Sequence, residues 1–291
     1  MEMNAGELES VEHLAERALN EDLEPAGVDL TSASVIPDGT RGSAALVARK
    51  EGVLAGLAAA QIVFKLVDPT LQFHFLVKDG SRISAGLQLA TVSGEMRSIL
   101  TGERTALNFV QHLSGVATLT KTYVDKVADF SCRLLDTRKT LPSWRLLEKY
   151  AVRCGGGHNH RMGLGDGILI KDNHLAALPD SGKAIEVSIQ LARKQYGQQY
   201  PIELEVDTLD QLNQALAMKP DIILLDNMST ENLYEAVRRR NRIAPNVLLE
   251  ASGGVNLSTI RDIACTGVDR ISVGALTHSA IALDIALDYN S

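Results

Sequence analysis

Aromatic residues, cysteines and positive charge are all scarce in this chain of 291 residues. Aromatic side chains make up 4% of the sequence, and the formal net charge is -7. A negative net charge excludes the protein-wide basic surface that grips nucleic acid or anionic membranes. Any polyanionic ligand must therefore be bound by a local cluster of cations.

The cysteines are too few, and too widely spaced, to build a framework. Cys132, Cys154 and Cys265 are an odd set that contains no C-x-x-C pair. This pattern argues against disulfide bonds and against a cysteine-based zinc or iron-sulfur site. We expect three buried and unreactive thiols.

Long apolar runs are also missing. The first residues, MEMNAGELESVEHL, are acidic and differ from a signal peptide, and no apolar stretch reaches membrane-spanning length. We therefore expect a cytoplasmic protein. The composition, with 45% hydrophobic and 22% charged residues, is that of a globular protein. A length of 291 residues is enough for one large domain or two unequal ones.

The first third of the chain mixes helix with antiparallel sheet. In LESVEHLAERALNEDL the apolar residues recur at helical spacing, whereas LQFHFLVKDG alternates apolar and polar residues before an Asp-Gly turn. The long helical stretch from Glu95 to Phe130 follows, and we expect it to break near Ser114 and Gly115. This break sets the predicted boundary between a domain of residues 1–115 and a second domain of residues 116–275.

The second domain contains short apolar runs separated by helix-length segments. Six runs are clear: CRLLDT, GILIKDN, IELEV, DIILLDN, VLLEASGG and RISVGA. This pattern is typical of a parallel sheet built from βα units, and the glycine-rich stretch between the first two runs leaves room for a seventh strand. Polar residues follow each run, so a βα barrel would gather them at one mouth. A doubly wound open sheet is the alternative, and it also places ligands at strand carboxyl ends.

Positive charge is concentrated in one part of this second domain. From Arg133 to His174 there are eight Lys and Arg against four Asp and Glu, a net +4 that leaves -11 for the rest of the chain. The same segment contains RCGGGHNHRMGLGDGILIKDNH, in which glycines allow close backbone approach and the cations attract an anion. Its His158 and His160 lack a third ligand in the sequence, so zinc is not expected.

Acidic and glycine-rich strand ends complete the expected site. Glu205 and Asp226 end successive runs and suit Mg²⁺, although either could instead cap a helix or pair with a neighbouring arginine. The SGG and VGA segments offer main-chain N-H groups to a phosphate, although such glycines often form only turns. Cations and a Mg²⁺ site together indicate a phosphorylated substrate.

Several blocks of the sequence closely resemble the quinolinate phosphoribosyltransferase family, whose members are also called nicotinate-nucleotide pyrophosphorylases (carboxylating). The resemblance covers DTRKTLPSWRLLEKYAVRCGGGHNHRMGLGDGILIKDNH, with GERTALNF before it and EVDTLDQL, ILLDN, EASGGV and ISVGAL after it. The TRKT and GGGHNHRMGL blocks are far more specific than a single glycine motif. Two departures are Asp136, where Glu is expected, and Ser143, where Gly is common.

The resemblance implies an α/β fold with an N-terminal α/β sandwich and an open, seven-stranded βα barrel. It also implies that residues 276–291 return to the first domain and that the chain forms a homodimer or a larger assembly. The implied reaction joins quinolinate to 5-phosphoribosyl 1-pyrophosphate with Mg²⁺, and yields nicotinate mononucleotide, pyrophosphate and CO₂ in NAD synthesis. Because quinolinate is a dianion and the sugar donor is a polyanion, concentrated cations are needed to bring them together.

The resemblance also assigns the site residues. The implied substrate-binding residues are Arg104, Thr137, Arg138, Lys139, His160, Arg161, Lys171, Glu205, Asp226, Ser252, Gly253, Gly254, Val273, Gly274 and Ala275. Lys139, Lys171, Glu205 and Asp226 are the implied catalytic residues, and Glu205 and Asp226 would hold the metal. Arg104 lies before the barrel strands, and the resemblance implies that it reaches quinolinate from the neighbouring subunit.

Two other functions are compatible with parts of this pattern. A nicotinate phosphoribosyltransferase would transfer the same group to a monocarboxylate, for which so many cations are not needed. A phosphosugar-binding barrel without catalytic activity would leave the Glu205 and Asp226 pair without a role.

Overall fold

The computed structural model describes residues 1–178 and 181–290, which form two compact units. The first unit contains Met1–Thr122, Thr140–Gly157 and residues 276–290, and the second contains Tyr123–Lys139 and His158–Ala275. The division expected from sequence has boundaries after residues 115 and 275. It differs from these units because it assigns residues 116–122 and 140–157 to the barrel domain.

The first unit is built on an antiparallel sheet and several helices. Its elements are α1 (Ala5–Leu23), α2 (Leu30–Val35), β1 (Arg41–Ala48), β2 (Gly52–Val53), α3 (Leu57–Val67), β3 (Gln72–Phe75), β4 (Arg82–Ile83), β5 (Gln88–Glu95), α4 (Met96–Lys126), α5 (Arg145–Cys154) and β12 (Ile285–Asn290). The main sheet has the order β12-β1-β5-β3, and β2 pairs separately with β4. The C-terminal segment therefore belongs to the sheet of the first unit.

Helix α1 follows directly from its sequence pattern. Asn4 and Glu7 form a reciprocal capping box at its start, and Val11, Ala15 and Leu19 lie buried along one face. The helix expected in this segment is confirmed.

Helix α4 is continuous through Ser114 and Gly115, so the break expected there is wrong. The Ser114 hydroxyl is buried and bonds to the main chain of Ala55. A side chain on Gly115 would overlap the carbonyl oxygen of Ile281, which belongs to the same unit. This glycine therefore allows close packing against the helix and does not end it.

The second unit contains the six strands that the sequence predicts. Its elements are β6 (Arg133–Leu135), β7 (Ile168–Ile170), α6 (Asp172–Ala176), a short 3₁₀ turn (Ser181–Lys183), α7 (Ala184–Tyr196), β8 (Ile202–Val206), α8 (Leu209–Met218), β9 (Ile222–Asp226), α9 (Thr230–Ile243), β10 (Leu248–Ser252), α10 (Ile260–Cys265), β11 (Arg270–Ser272) and α11 (Ala275–His278), the last of which continues into the first unit. The parallel sheet has the order β6-β11-β10-β9-β8-β7.

Two pairings show that this sheet curls into an open barrel. The last strand, β11, pairs with the first, β6, which a doubly wound open sheet would not do. The seventh strand is reduced to a parallel bridge between Leu135 and His158, within the glycine-rich stretch. The α/β fold with a seven-stranded open barrel is therefore confirmed, with its opening between His158 and β7.

Two further expectations concern single residues. Cys154 is buried as expected, but Cys265 is exposed at the end of α10, so the expectation of three buried thiols is wrong. Ser143 has a φ of 67°, a left-handed conformation that glycine adopts without steric cost. This φ is a physical reason for glycine at that position in the resembling family.

In the part of the chain that the structure describes, no helix is both long enough and apolar enough to cross a bilayer.

Candidate active site

The carboxyl ends of β7, β8 and β9 bring a lysine and two carboxylates to the barrel interior. Residues Glu205 and Leu224 are neighbours in the β8-β9 ladder, and Asp226 lies two residues further along the same face of β9. The Lys171 ammonium, just after β7, contacts the Glu205 carboxylate. Glu205 and Asp226 therefore lie at one edge of the sheet, as the sequence analysis expects.

Both carboxylates keep an oxygen for a ligand. Lys171 contacts Oε2 of Glu205, and the side chain of Asn227 donates to Oδ2 of Asp226 over 2.8 Å. The other oxygen of each carboxylate has no protein partner among residues 1–178 and 181–290. Two carboxylates with one open oxygen each are a donor set that suits Mg²⁺.

The glycine-rich ends of β10 and β11 lie beside these carboxylates in the strand order. Gly253 and Gly254 have φ values of 85° and 61°, and the Ser252 hydroxyl bonds to the Ser272 hydroxyl over 3.0 Å. After β11, the N-H of Val273 donates to the carbonyl of Leu135. Helix α11 begins at Ala275 directly after Gly274, whereas α10 begins only at Ile260.

The cations after β6 include an arginine that has no partner among the residues the structure describes. Lys139 is exposed, and its main-chain N-H donates to the Thr137 hydroxyl over 3.1 Å. The Nε of Arg138 is buried and makes no hydrogen bond. In the described ranges, no ion pair of Arg138 is found either. A buried guanidinium nitrogen without an acceptor is costly, and an anionic ligand would satisfy it.

Arg161 lies close enough to Arg138 for the two charges to interact. Burial lowers the pKa of Arg161, and the charge of Arg138 lowers it further. The Nη1 of Arg161 donates to the carbonyl of Gly167, just before β7 begins, and its side chain lines a cavity of about 310 Å³. One donor of the Arg161 guanidinium is therefore bonded beside the amino end of β7, whereas the sequence predicts a contact with a ligand at the strand carboxyl ends.

His160 is more enclosed than a substrate-contacting residue. Its Nε2 lies 3.1 Å from an oxygen of Glu203 and 3.4 Å from one of Glu250, and its side chain is 9% exposed. Its Nδ1 accepts the N-H of Arg161 over 2.8 Å. Both ring nitrogens therefore face partners within the protein.

Opposing influences act on the charge of this ring. Burial disfavours a charged ring, but hydrogen bonds to Glu203 and Glu250 raise the pKa of His160 to about 9. The N-H of Arg161 opposes protonation, because a protonated Nδ1 cannot accept a hydrogen bond. A proton on Nε2 faces the two carboxylates whether or not Nδ1 is also protonated.

The cluster of His160, Glu203 and Glu250 also has the composition of a metal site, because their donor atoms lie within 4.8 Å of one another. Arg270 neutralises Glu250 across 2.6 Å. Oε1 of Glu203 is buried without a hydrogen-bond partner in the described ranges, so the cluster is only partly satisfied.

Two buried carboxylates and one half-buried arginine of the barrel were not predicted from the sequence: Glu203, Glu250 and Arg270. Asp136 is fully buried and accepts the main-chain N-H of His160 over 2.9 Å. The signal was present in IELEV, where Glu203 and Glu205 alternate with apolar residues and must share a face.

Arg104 lies in the first unit, on α4, and is exposed. The alternative expectation pairs it with Glu103, but Glu103 accepts the hydroxyl of Tyr289 over 2.7 Å. Within the described residues, Arg104 has neither a hydrogen bond nor an ion pair. Its charge is therefore available to another molecule.

Comparison with known families covers almost the whole chain. Residues 29–114 match the N-terminal domain of quinolinate phosphoribosyl transferase, and residues 116–288 match its C-terminal domain. Together the two matches extend from residue 29 to residue 288.

Individual relatives agree with these matches. The chain is 46% identical over 284 residues to a nicotinate-nucleotide pyrophosphorylase [carboxylating] of Mycobacterium leprae, covering 97% of this chain and 98% of the relative. It is 40% identical over 285 residues to quinolinate phosphoribosyltransferase [decarboxylating] 1b of Nicotiana tabacum, covering 93% and 79%. The structure of the nicotinate-nucleotide pyrophosphorylase of Francisella tularensis superposes with a TM-score of 0.89 at 40% identity, covering 97% of each chain. The chain described here thus belongs to the quinolinate phosphoribosyl transferase family.

Proposed function

We propose that this protein transfers the phosphoribosyl group of 5-phosphoribosyl 1-pyrophosphate to quinolinate and decarboxylates the adduct. The products are nicotinate mononucleotide, pyrophosphate and CO₂, and the reaction belongs to NAD synthesis. The family membership supports this reaction, because relatives that match over most of the chain carry its name.

The observation that carries the proposal is the pair of neighbouring arginines in the second unit. The Nε of Arg138 is buried without an acceptor, and its charge lowers the pKa of Arg161 after burial has done so. Two guanidinium groups that repel each other are stabilised by a ligand with two negative groups. Quinolinate, a pyridine with two adjacent carboxylates, is such a ligand.

The lysines act on the opposite side of the reaction. When the anomeric C-O bond breaks, negative charge accumulates on the leaving pyrophosphate, and the ammonium groups of Lys139 and Lys171 stabilise it. The main-chain N-H groups of Ser252–Gly254 and those of Gly274 and Ala275, which follow Val273, hold phosphate oxygens of the donor. No covalent nucleophile of the protein is needed.

Decarboxylation follows from the new bond. After the pyridine nitrogen has been alkylated, the ring withdraws electrons from the adjacent carbon. The bond to the neighbouring carboxylate then breaks, CO₂ leaves, and the ring carbon takes up a proton. We propose that the protein contributes by holding the second carboxylate with Arg138 and Arg161, a role that the unsatisfied Nε of Arg138 supports.

Glu205 and Asp226 would hold Mg²⁺, which would neutralise pyrophosphate charge when bound. Each carboxylate has an open oxygen, as described above. The assembly we propose is a cytoplasmic homodimer, or a larger assembly, in which Arg104 of each chain enters the site of its neighbour. The exposed, unpaired state of Arg104 supports this arrangement.

Turnover with both substrates tests the reaction. We expect pyrophosphate and CO₂ in equal amounts, and no release of either when quinolinate or the sugar donor is left out. Pyrophosphate without CO₂ from quinolinate would contradict the decarboxylating assignment. Use of nicotinate in place of quinolinate, or sugar-donor binding without turnover, would indicate the two other functions considered for this sequence.

The metal proposal is tested with Glu205→Gln and Asp226→Asn, which remove a charge and keep the shape. Each variant should shift the Mg²⁺ dependence of activity to higher concentration while its thermal midpoint stays near that of the wild type. Asp207→Asn, a change at an exposed carboxylate just beyond β8, is the control. Wild-type Mg²⁺ titrations in both test variants would show that the two carboxylates do not hold the ion.

A further inference from the structure

Asn227 has an unusual backbone conformation at the end of β9. Its φ is 51°, and the other non-glycine residues with positive φ in the described ranges are Ser143 and Lys219. Asparagine tolerates this region better than most residues, but it is still uncommon there. Such a conformation persists where surrounding contacts require it, and it is often found at functional sites.

Three contacts of Asn227 join the ends of two strands. Its main-chain N-H donates to the carbonyl of Ser252 over 2.9 Å, and its side-chain Nδ2 donates to Asp226 Oδ2 over 2.8 Å. Its carboxamide also lies against Gly253, where a Cβ would overlap it. The residue thus touches the proposed metal carboxylate on one side and the proposed phosphate-binding main chain on the other.

Each contact depends on a specific side chain. An amide supplies the N-H donor to Asp226, which a carboxylate at position 227 would lack. Gly253 has a φ of 85° and no side chain, so it permits the close approach of the carboxamide. The hydroxyl bond between Ser252 and Ser272 extends the same connection to β11.

We propose that Asn227 is a positioning residue that fixes the Asp226 carboxylate and the main chain of Ser252–Gly254 in one arrangement. It acts through these groups and so sets the affinity for the phosphorylated sugar donor. The inference rests on the proposed function, because that function makes the sugar donor the ligand of this edge of the barrel.

Asn227→Gly tests the proposal, with Lys219→Gly as a matched control. Glycine takes the left-handed conformation at no steric cost, so both changes relieve the same strain. Only Asn227→Gly also removes contacts near the site, because Lys219 is the exposed C-cap of α8. Binding of 5-phosphoribosyl 1-pyrophosphate and of quinolinate is measured separately by calorimetry, at one Mg²⁺ concentration.

We expect both glycine variants to keep or raise the thermal midpoint of the wild type. The affinity for the sugar donor should fall roughly tenfold or more in Asn227→Gly, because a hydrogen bond to a charged group is lost, and stay unchanged in Lys219→Gly. The affinity for quinolinate should stay within about twofold in both variants. This split distinguishes positioning of the donor site from a general structural role.

A second substitution, at Gly253, tests the same contact between Gly253 and the Asn227 carboxamide. Gly253→Ala places a methyl group where the carboxamide lies, so it should weaken donor binding more in the wild-type background than in the Asn227→Gly background. Equal losses in both backgrounds would show that the two residues act independently.

Unchanged donor affinity in Asn227→Gly would overturn the proposal. A parallel loss of donor affinity, quinolinate affinity and thermal midpoint would overturn it as well, because that result describes a structural residue. Failure of the wild type to bind either substrate would instead overturn the proposed function itself, so the two failures are distinguishable.

Discussion

Buried carboxylates bond to different partners in the two units. In the first unit, Asp79 accepts the N-H groups of Gly56 and Leu57 at the start of α3, and Glu148 accepts the N-H of Leu141. In the second unit, the buried carboxylates Glu203 and Glu250 face His160, and Glu250 also faces Arg270. Asp79 of the first unit therefore completes main-chain hydrogen bonds, whereas Glu203 and Glu250 of the barrel hold other side chains. Each unit also contains a mixed case, because Glu148 faces the His112 side chain as well and Asp136 accepts the main-chain N-H of His160.

The difference predicts where a substitution has its effect. Removal of a carboxylate that accepts main-chain donors leaves buried N-H groups unsatisfied, at about 1–3 kcal/mol each. Charges that neutralise one another in a barrel contribute less net stability, because desolvation offsets much of their attraction. We therefore expect substitutions in the first unit to weaken folding, and substitutions of the barrel cations to weaken catalysis.

The largest effect is expected at the barrel lysines. Replacement of Lys139 or Lys171 by alanine should cost about 2–4 kcal/mol of transition-state stabilisation, or roughly 30-fold to 1000-fold in kcat/KM. The thermal midpoint should stay nearly unchanged, because Lys139 is exposed and Lys171 is 43% exposed. Lys194→Ala, on the exposed face of α7, is the control and should keep full activity.

Two outcomes would contradict the expectation that the barrel cations serve catalysis and not folding. A fully active Lys139→Ala enzyme would remove that lysine from the mechanism. Loss of folding in Lys171→Ala would show that its contact with Glu205 stabilises the barrel, as buried charges do in the first unit.

Arg104 is the expected exception, a cation of the first unit that acts in catalysis. We expect Arg104→Ala and Arg161→Ala proteins each to be nearly inactive. Mixed dimers should regain activity, because one of their two sites then contains both arginines. Random mixing of equal amounts should give roughly a quarter of wild-type activity, since half of the dimers are mixed and each has one intact site.

The control for this experiment is a mixture of Arg161→Ala with a second barrel variant, Lys171→Ala. Both changes then affect residues of the same chain's barrel, so each mixed dimer has no intact site and activity should stay low. If dimers of Arg104→Ala and Arg161→Ala are shown to form and remain inactive, Arg104 does not act across the interface.

The sequence predicts the fold well because the barrel strands are continuous apolar runs followed by polar residues. All six runs are strands in the structure, and β6 pairs with β11 as a barrel requires. The helix break near Gly115 was wrong, because a glycine needed for packing has the same local pattern as one that ends a helix. The packing role of Gly115 becomes visible only from its contact with the carbonyl of Ile281, which the local sequence does not show.

The sequence predicts the site residues that are charged and stand directly at the end of a predicted strand. Glu205 and Asp226 follow directly from the ends of their strands, and the structure places them on one face. The surroundings of His160 were not predictable, because Glu203 and Glu250 reach it from strands distant in sequence. The direction of the Arg161 side chain was not predictable either, since its hydrogen bond to Gly167 depends on a loop without a regular pattern.

A smaller effect, on stability, is expected from Asp79→Ala in the first unit. The change leaves two N-H groups of α3 and the hydroxyl of Tyr150 without their acceptor, so unfolding should become about 2–4 kcal/mol easier. Activity per folded molecule should not change. Asp68→Ala is the control, because Asp68 bonds to Thr70 in an exposed turn and should matter by less than about 0.5 kcal/mol. If Asp79→Ala and Asp68→Ala lose the same amount of unfolding free energy, burial of the carboxylate does not determine its contribution to stability.

Asp79 also predicts a pH dependence of stability. Burial raises the pKa of Asp79 despite its three donors, so the folded protein holds this proton more tightly than the unfolded chain does. The resulting stabilisation is complete below the unfolded pKa of about 4 and is lost as pH rises through the raised value. The wild type should therefore lose stability relative to Asp79→Asn between those two values, as measured by denaturant unfolding. If the difference in unfolding free energy between the wild type and Asp79→Asn stays constant across that pH range, the pKa of Asp79 does not change on folding.

The smallest expected effect concerns the cysteines, one of which is buried in the first unit and one exposed in the second. Burial raises the pKa of Cys154 to about 12, so its thiolate is scarce at neutral pH and its sulfur is covered. Cys265 is exposed, so a disulfide reagent should modify one thiol quickly in the native protein and the others slowly. Cys265→Ser should abolish the fast phase and change stability by less than about 0.5 kcal/mol. If a fast phase persists in Cys265→Ser, Cys132 or Cys154 becomes accessible through local opening. If that phase is then lost when Cys154 is also substituted, the opening lies in the first unit.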